Sequence, residues 1–278
     1  MALFRAQYFG AALVLGAVAA LAGRRRIGLA AVALATVNAV GLLPGLLAGS
    51  RPDPTQPQLR LLVANVWYPG NDYRPLLELV EREHPDVIGL TELSRDWAAG
   101  IAPGLKDYPY RVLRAQPGAY GIGLYSRVPL RNARIVYPAR KWPPVARATV
   151  SIDGRGMELF VAHSPSAIRS GAAARHREFM RNLGTLARDA GDTALVCGDL
   201  NAAPWTAPFQ DLRDRGRLER DDPWRPFEWT YPVWNSLLRV PIDQCLAGSA
   251  LSVSSRTGRA VGSDHFPLLV AASFSSSE

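Results

Sequence analysis

Cysteine is scarce: Cys197 and Cys245 are the only two, each inside an apolar run. Two thiols cannot build a four-cysteine zinc site or staple a small secreted scaffold. Buried free thiols are therefore the plain expectation, with one disulfide open to a domain exported into an oxidising compartment. Lysine is scarcer relative to need, since Lys106 and Lys141 stand alone among 32 basic side chains. Arginine in its place suits forked recognition of phosphate, and is more simply a product of GC-rich coding. There are four histidines. The sequence has no G-x-S-x-G elbow, no G-x-x-x-x-G-K-[ST] loop and no H-E-x-x-H pair, which removes serine hydrolases, P-loop enzymes and zinc proteases of those types. Internal repeats are missing too, and low complexity is confined to a proline-rich stretch and a short serine-rich tail.

What is present is the composition of a folded chain: 278 residues, 48% hydrophobic and 20% charged. The formal charge of +8 points to nucleic acid until its distribution is read. Arg5, Arg24, Arg25 and Arg26 lie in the first fifty residues with no acid, which leaves 28 basic against 24 acidic side chains, or +4, for the remainder. That remainder is only mildly basic.

The same first fifty residues hold two uncharged runs, Tyr8 to Ala22 and Ile27 to Ala48. The second is long enough to cross about 30 Å of hydrocarbon; the first is marginal against the usual requirement of about 17 to 25 residues. A signal peptide carries its positive charge before the apolar core, whereas here the arginine triplet sits between the runs. The expectation is a transmembrane hairpin over residues 1–50. The positive-inside rule keeps the triplet cytoplasmic and puts the rest of the chain outside a bacterial cell membrane. Arg51 to Gln58, RPDPTQPQ, reads as a semi-rigid linker, and residues 59–278 as the main domain.

Within that domain, strands are predicted at Leu59 to Val66, Asp86 to Glu92, Gly121 to Ser126, Ala146 to Ile152, Met157 to His163, Thr193 to Asn201, Val240 to Ala247 and Phe266 to Phe274. Helices are predicted at Tyr73 to Glu83 and Ala172 to Ala190. In the latter, Phe179, Leu183 and Leu186 share one face. Several strands are apolar on both sides, so both sides must be covered, the mark of a layered α/β domain. Polar residues interrupt the runs at their ends: Asn65 closes LLVAN, Glu92 closes VIGLTE, His163 closes LFVAH, and Asp199 and Asn201 close ALVCGDLN. A polar residue after a strand is ordinarily turn chemistry. Its repetition, with Asp243 in VPIDQ and Asp264 and His265 in SDHFP, points to a crevice at the strand ends where scattered groups converge.

In this order, Asn65, Thr91-Glu92, GIGLYSRVPL from Gly121, His163, GDLN from Gly198, PID from Pro241 and SDHFP from Ser263 resemble the endonuclease/exonuclease/phosphatase superfamily. The resemblance implies a four-layer α/β sandwich of two mixed sheets flanked by helices, and a metal-dependent phosphoesterase. It implies Glu92, Asn65 and Asp264 as ligands of magnesium, with manganese as an alternative, because hard cations take oxygen donors. Asp199 would orient or deprotonate the attacking water, and Asn201 would hold a phosphate oxygen. His163 and His265 would donate hydrogen bonds to the phosphoryl group, with Asp243 fixing the tautomer of His265.

Arg147, at the start of a strand, is a further candidate for phosphate, as are Asn201 and His163. His84 and His176 read as ordinary, His176 on a polar helix face. Trp67, Tyr68, Trp229, Tyr231 and Trp234 form either a wall for a base, sugar or lipid chain or ordinary core packing. The anchor-plus-domain layout is similar to that of membrane-anchored actinobacterial family members linked to teicoplanin resistance, which implies a lipid-linked phosphate or pyrophosphate as substrate. The alternative is a magnesium-dependent DNA endonuclease or exonuclease.

Overall fold

A computed structural model describes residues 2–46, 57–138, 143–166, 172–220 and 228–275. The proline-rich linker, apart from Pro57 and Gln58, and the end of the serine-rich tail lie outside the described residues.

Two helices, α1 (Arg5–Leu21) and α2 (Arg25–Leu46), open the chain and pack against each other. Small residues face each other across the contact: a Cβ on Gly16 would sit 3.6 Å from the Ala31 side chain, ordinary van der Waals contact. Only the second contains a stretch, Arg25–Leu43, long and apolar enough to cross a membrane; Arg5–Leu21 falls short.

Among the described residues, twelve strands then form two six-stranded sheets. The first runs β11 (Leu251–Thr257), β12 (Leu268–Phe274), β1 (Leu59–Asn65), β2 (Val87–Thr91), β4 (Ile122–Ser126), β3 (Tyr110–Arg114). The second runs β5 (Leu130–Val136), β6 (Val145–Ile152), β7 (Arg155–His163), β8 (Ala194–Asp199), β10 (Asp243–Ala247), β9 (Glu219–Arg220). Each sheet has one parallel pair at its centre, β1 with β2 and β7 with β8, among antiparallel neighbours. Both sheets are therefore mixed.

Alternation decides the layers. On β1, Leu61 and Val63 point between the sheets, where they meet Leu159, Val161, Leu195 and Val253 in a dry core. Leu62 and Ala64 point outward, under α3 (Arg74–Glu83) and α4 (Arg95–Ile101), with Leu76, Leu79 and Trp97. The outer face of the second sheet is covered by α5 (Ala172–Ala190) and α6 (Ala207–Gly216) through Phe179, Leu183, Phe209 and Leu212. The sheets approach so closely at Gly89 that a Cβ there would fall 2.6 Å from Val161. The result is an α/β sandwich in four layers.

Cys197 and Cys245 face each other across β8 and β10 and are joined as a disulfide, not held as free thiols. Antiparallel register puts the two cysteines opposite each other, and two positions on it pairs Asp199 with Asp243. The covalent bond thus ties together the strands that carry two of the candidate residues.

Candidate active site

All the candidates at strand ends lie along one edge of the sandwich, for a topological reason. β1 and β2 run parallel and end together at Asn65 and Thr91, and β7 and β8 end together at His163 and Asp199. β10 runs opposite to β8 and so begins at this edge, with Asp243. β12 runs opposite to β1, which brings the preceding Asp264 and His265 to the same edge. Residues two hundred positions apart are neighbours because parallel strands finish where their antiparallel partners start.

Backbone geometry then aims the side chains. Gly198 has φ 141°, and a Cβ there would lie 1.9 Å from the Ala162 carbonyl oxygen, so only glycine can precede Asp199 at this end of β8. Glu92 and Asn201 themselves adopt left-handed backbone, φ 58° and 47°. Such conformations in non-glycine residues cluster at functional sites.

Asp199, 2% exposed, is the hub. Its Oδ1 accepts from the Asn201 backbone N–H at 3.0 Å, and its Oδ2 from the Asn65 side-chain amide at 3.1 Å. His163 Nε2 stands 3.3 Å from the same Oδ2, and His265 Nε2 stands 3.8 Å from it. The Asn65 amide also donates to Glu92 Oε1 at 3.1 Å, while Tyr68 N–H donates to Glu92 Oε2 at 3.0 Å. Asn65 comes from one sheet and Asp199 from the other, so the pair bridges the sandwich.

Both histidines have defined orientations. His163 Nδ1 faces the Ala119 carbonyl at 2.8 Å; a carbonyl can only accept, so Nδ1 carries its hydrogen. His265 Nδ1 faces Asp243 Oδ2 at 2.7 Å. Burial alone would push the His265 imidazole down, but Asp243 and Asp199 outweigh it and hold its pKa up at about 10. His265 is thus a buried cation ringed by carboxylates. Asp264 is raised from its ordinary value, first by burial and then by Glu92 and Asp199, with His265 opposing. The crowding of Glu92, Asp199 and Asp264 is the electrostatic condition that a bound cation relieves.

Two placements for such an ion can be compared. Asp199, Asp243 and His265 form a buried trio with ligand atoms within 4.8 Å of one another. An ion there would have to replace the Asp243–His265 hydrogen bond, and its nitrogen donor suits softer metals. Glu92, Asn65 and Asp264 offer carboxylate and amide oxygens, the donors hard divalent cations take. The chemistry of the second set fits magnesium or manganese better.

Arg147 is not brought to this cluster. It projects from β6 on the helix-covered face, where its Nη2 pairs with Glu158 Oε2 at 2.8 Å and its guanidinium lies over the Phe160 ring at 5.0 Å. Alternation in β6 gives the opposite face to Ala146 and Ala148, so Arg147 serves a cross-strand ion pair. Asn201 reaches the site, and its side-chain amide donates to the Ser164 carbonyl at 3.0 Å.

His176, read from sequence as lying on a polar helix face, is buried at 2% exposure. Its Nε2 donates to the Leu200 carbonyl at 3.1 Å, and the Ser164 hydroxyl donates to the same oxygen. Leu200 lies between Asp199 and Asn201, so His176 supports the turn that carries these two candidates. Flanking Arg175 and Arg177 disguised it; the i+3 and i+4 spacing to Phe179 and Met180 was the available signal. The aromatics divide: Tyr231 stacks on His265 with ring centres 4.7 Å apart, Trp229 lies near Trp205, and Trp67, Tyr68 and Trp234 are exposed.

With this geometry in hand, the comparisons are consistent with one another. The model of the Endonuclease/Exonuclease/phosphatase family matches residues 62–265. No curated protein sequence matches the chain. An endonuclease/exonuclease/phosphatase family protein from Bacteroides thetaiotaomicron superposes with a TM-score of 0.64 at 15% identity, over 79% of this chain and 99% of that one. Sphingomyelinase C from Streptomyces griseocarneus gives 0.54 at 17%, over 77% and 98%. D. rerio TDP2 in complex with a single-strand DNA product gives 0.59 at 16%, over 77% and 98%.

Proposed function

The chain belongs to the endonuclease/exonuclease/phosphatase family, whose members are metal-dependent hydrolases of phosphoester bonds, and from that premise we propose that its substrate is a lipid-linked phosphate or pyrophosphate. The hydrolytic part of this reading rests on one observation: the amide of Asn65, the imidazoles of His163 and His265 and the backbone of Asn201 all converge on the carboxylate of Asp199. That is a site for placing and deprotonating a water beside donors aimed at an anion.

Each residue has a part. Asp199 orients the attacking water and takes its proton, its own oxygens held still by Asn65 and Asn201. His265, anchored by Asp243, donates a hydrogen bond to a phosphoryl oxygen, and His163, whose Nδ1 hydrogen is committed to Ala119, does so from Nε2 in its imidazolium form. Asn201 exchanges its contact with Ser164 for a phosphate oxygen. Glu92, Asn65 and Asp264 are the residues that would hold magnesium, or manganese in its place, and such an ion would supply positive charge for the phosphoryl oxygens.

The lipid-linked substrate and the location are carried by the N-terminal helices, which we read as the anchor of the hydrolytic domain in a bacterial cell membrane. The Arg24 to Arg26 turn is assigned to the cytoplasm and residues 59–278 to the outside. The Cys197–Cys245 disulfide supports that side, since oxidising compartments preserve such bonds. The relation in fold to sphingomyelinase C, an enzyme named for a phospholipid, is compatible with it.

A DNA nuclease is the second reading, favoured by the likeness to TDP2 with its DNA product. A net charge of only +4 after the anchor argues for weak hold on a polyphosphate backbone. The full chain in detergent, given magnesium and either undecaprenyl pyrophosphate or plasmid DNA, with and without EDTA, separates the two. The expected result is phosphate release from the lipid that EDTA abolishes. Rapid nicking of plasmid with no release from lipid would replace the first reading by the second, and inactivity across a broad phosphoester panel would remove both.

A further inference from the structure

Outside the two N-terminal helices, the described residues include seven large apolar side chains that stand exposed, and five of them are attached to the site. Trp67 and Tyr68 follow Asn65, with their backbone N–H groups bound to Asn65 and Glu92. Trp234, Leu237 and Leu238, exposed by 72%, 82% and 46%, occupy the loop between Tyr231 and Val240. Leu237 is more exposed than any other large apolar side chain beyond the helices.

This loop is built to hold its apolar tip outward. At its base Tyr231 lies on the His265 ring and Val233 N–H donates to the Asp264 carbonyl at 2.9 Å. Arg239 closes the neck, its guanidinium donating to the carbonyls of Pro232 and Val233 at 3.1 and 2.9 Å while lying over Phe266. Asn235 Oδ1 accepts from the N–H groups of Leu237 and Leu238 at 3.0 and 3.2 Å, so the two most apolar tip residues have their backbone donors met from within the loop. Exposed Trp and Leu side chains on such a tip suit the boundary between headgroups and acyl chains.

The loop also touches the anchor. Gln7, in the first turn of α1, donates from its side-chain amide to the Arg239 carbonyl at 2.6 Å. The arginine turn lies at the other end of α1, 17 residues or roughly 25 Å away at ~1.5 Å per residue. The loop therefore shares the level of the helix end opposite the arginines.

We propose that Trp234, Leu237 and Leu238 dip into the outer leaflet of the bilayer that holds the helices, and so seat the mouth of the site against the lipid surface. This rests on the membrane-anchored, lipid-substrate reading given above. Its occupant is the bilayer itself, because the apolar tip is continuous with the helix end that emerges from that bilayer.

The full chain, reconstituted into phosphatidylglycerol and phosphatidylethanolamine vesicles, is compared with a Leu237→Ser/Leu238→Ser variant on two substrates, undecaprenyl pyrophosphate in the vesicle and bis(p-nitrophenyl) phosphate in water. The expected result is a loss of about tenfold or more on the vesicle substrate, as two large apolar side chains leave the interface, with the soluble diester cleaved within about twofold of wild type. In parallel, lipids brominated near the headgroup should quench tryptophan emission, with most of that quenching absent from Trp234→Phe. Equal losses on both substrates, or undiminished quenching in Trp234→Phe, would overturn docking. A variant that turns from dimer to monomer in detergent would reassign the surface to a second copy of the chain. The quenching needs no turnover. If wild type cleaves the soluble diester but not the lipid, the substrate reading fails and docking is still judged on its own.

Discussion

Asp199 is almost fully buried, and its oxygens are met by polar groups from both sheets. Its charge, not its shape, is what a proton acceptor needs. Asp199→Asn keeps the volume and an oxygen that can accept from the Asn201 N–H, and removes the base. We expect kcat to fall by at least about a hundredfold, the usual scale for loss of a positioned base, with the far-UV circular dichroism unchanged. Initial rates on a soluble diester measure it; a loss under tenfold would move the proton acceptor elsewhere.

Most of this cluster could be read from residues, because Glu92, His163 and Asp199 each end an apolar run, and a charge has no packing reason to be there. Arg147 had the same kind of address and a different use. Period two says that its side chain leaves β6 on one face, but not which face holds the crevice, and the answer depended on its cross-strand partner Glu158.

At the scale of elements, α5 supports the site from behind through His176, and the disulfide braces the β8–β10 pair that carries Asp199 and Asp243. Burial lowers the His176 imidazole pKa, with the Leu200 carbonyl and Asp199 opposing, so the folded state favours neutral imidazole. The unfolded chain takes its proton near pH 6.5. Stability linked to His176 is thus whole above that value and is lost as pH falls through the lowered folded value. His176→Gln keeps a donor for Leu200 and cannot titrate, so its melting temperature should fall less than wild type's between about pH 7.5 and 5. Equal slopes in the two proteins would show that His176 does not titrate with unfolding.

The disulfide acts on the neighbouring pair. It closes a loop across a sequence separation of 48, for which removal should cost about 2–4 kcal/mol. Urea unfolding of Cys197→Ala/Cys245→Ala, beside wild type with the bond intact, reads that loss directly.

Eight apolar runs announced eight strands, within a few residues at each end. β3, β5, β9 and β11 escaped because they are edge strands with a weak apolar pattern: β5 is exposed along most of its length, β9 has two residues, and β11, though largely buried, interleaves Leu251 and Val253 with serines. α6 was hidden by its charged second half, and only Phe209 and Leu212 tie it to the core. Period and hydrophobicity report burial, so elements that bury one face weakly leave a weak trace.

At the scale of the molecule, the division of labour can be seen in where the cores lie. All three apolar clusters draw their side chains from Leu59 onward, and α1 and α2 contribute none. The helices therefore add no apolar packing to the sandwich, and on the reading proposed above their part would be location. Residues 57–278 expressed alone should fold cooperatively and cleave a soluble diester within a few fold of the full chain. Gln58 belongs in that fragment, because its backbone N–H and side-chain oxygen bind Ala272 and Phe274 at the end of β12. On undecaprenyl pyrophosphate in vesicles, the same fragment should lose most of its rate, since the helices no longer hold the site at the surface and the effective concentration of substrate falls. Raising the vesicle concentration should restore part of that rate, because the loss is one of encounter and not of chemistry. A fragment as fast as the full chain at dilute vesicles would mean that the anchor does not deliver the enzyme to its substrate, and the lipid-linked reading would lose its main support.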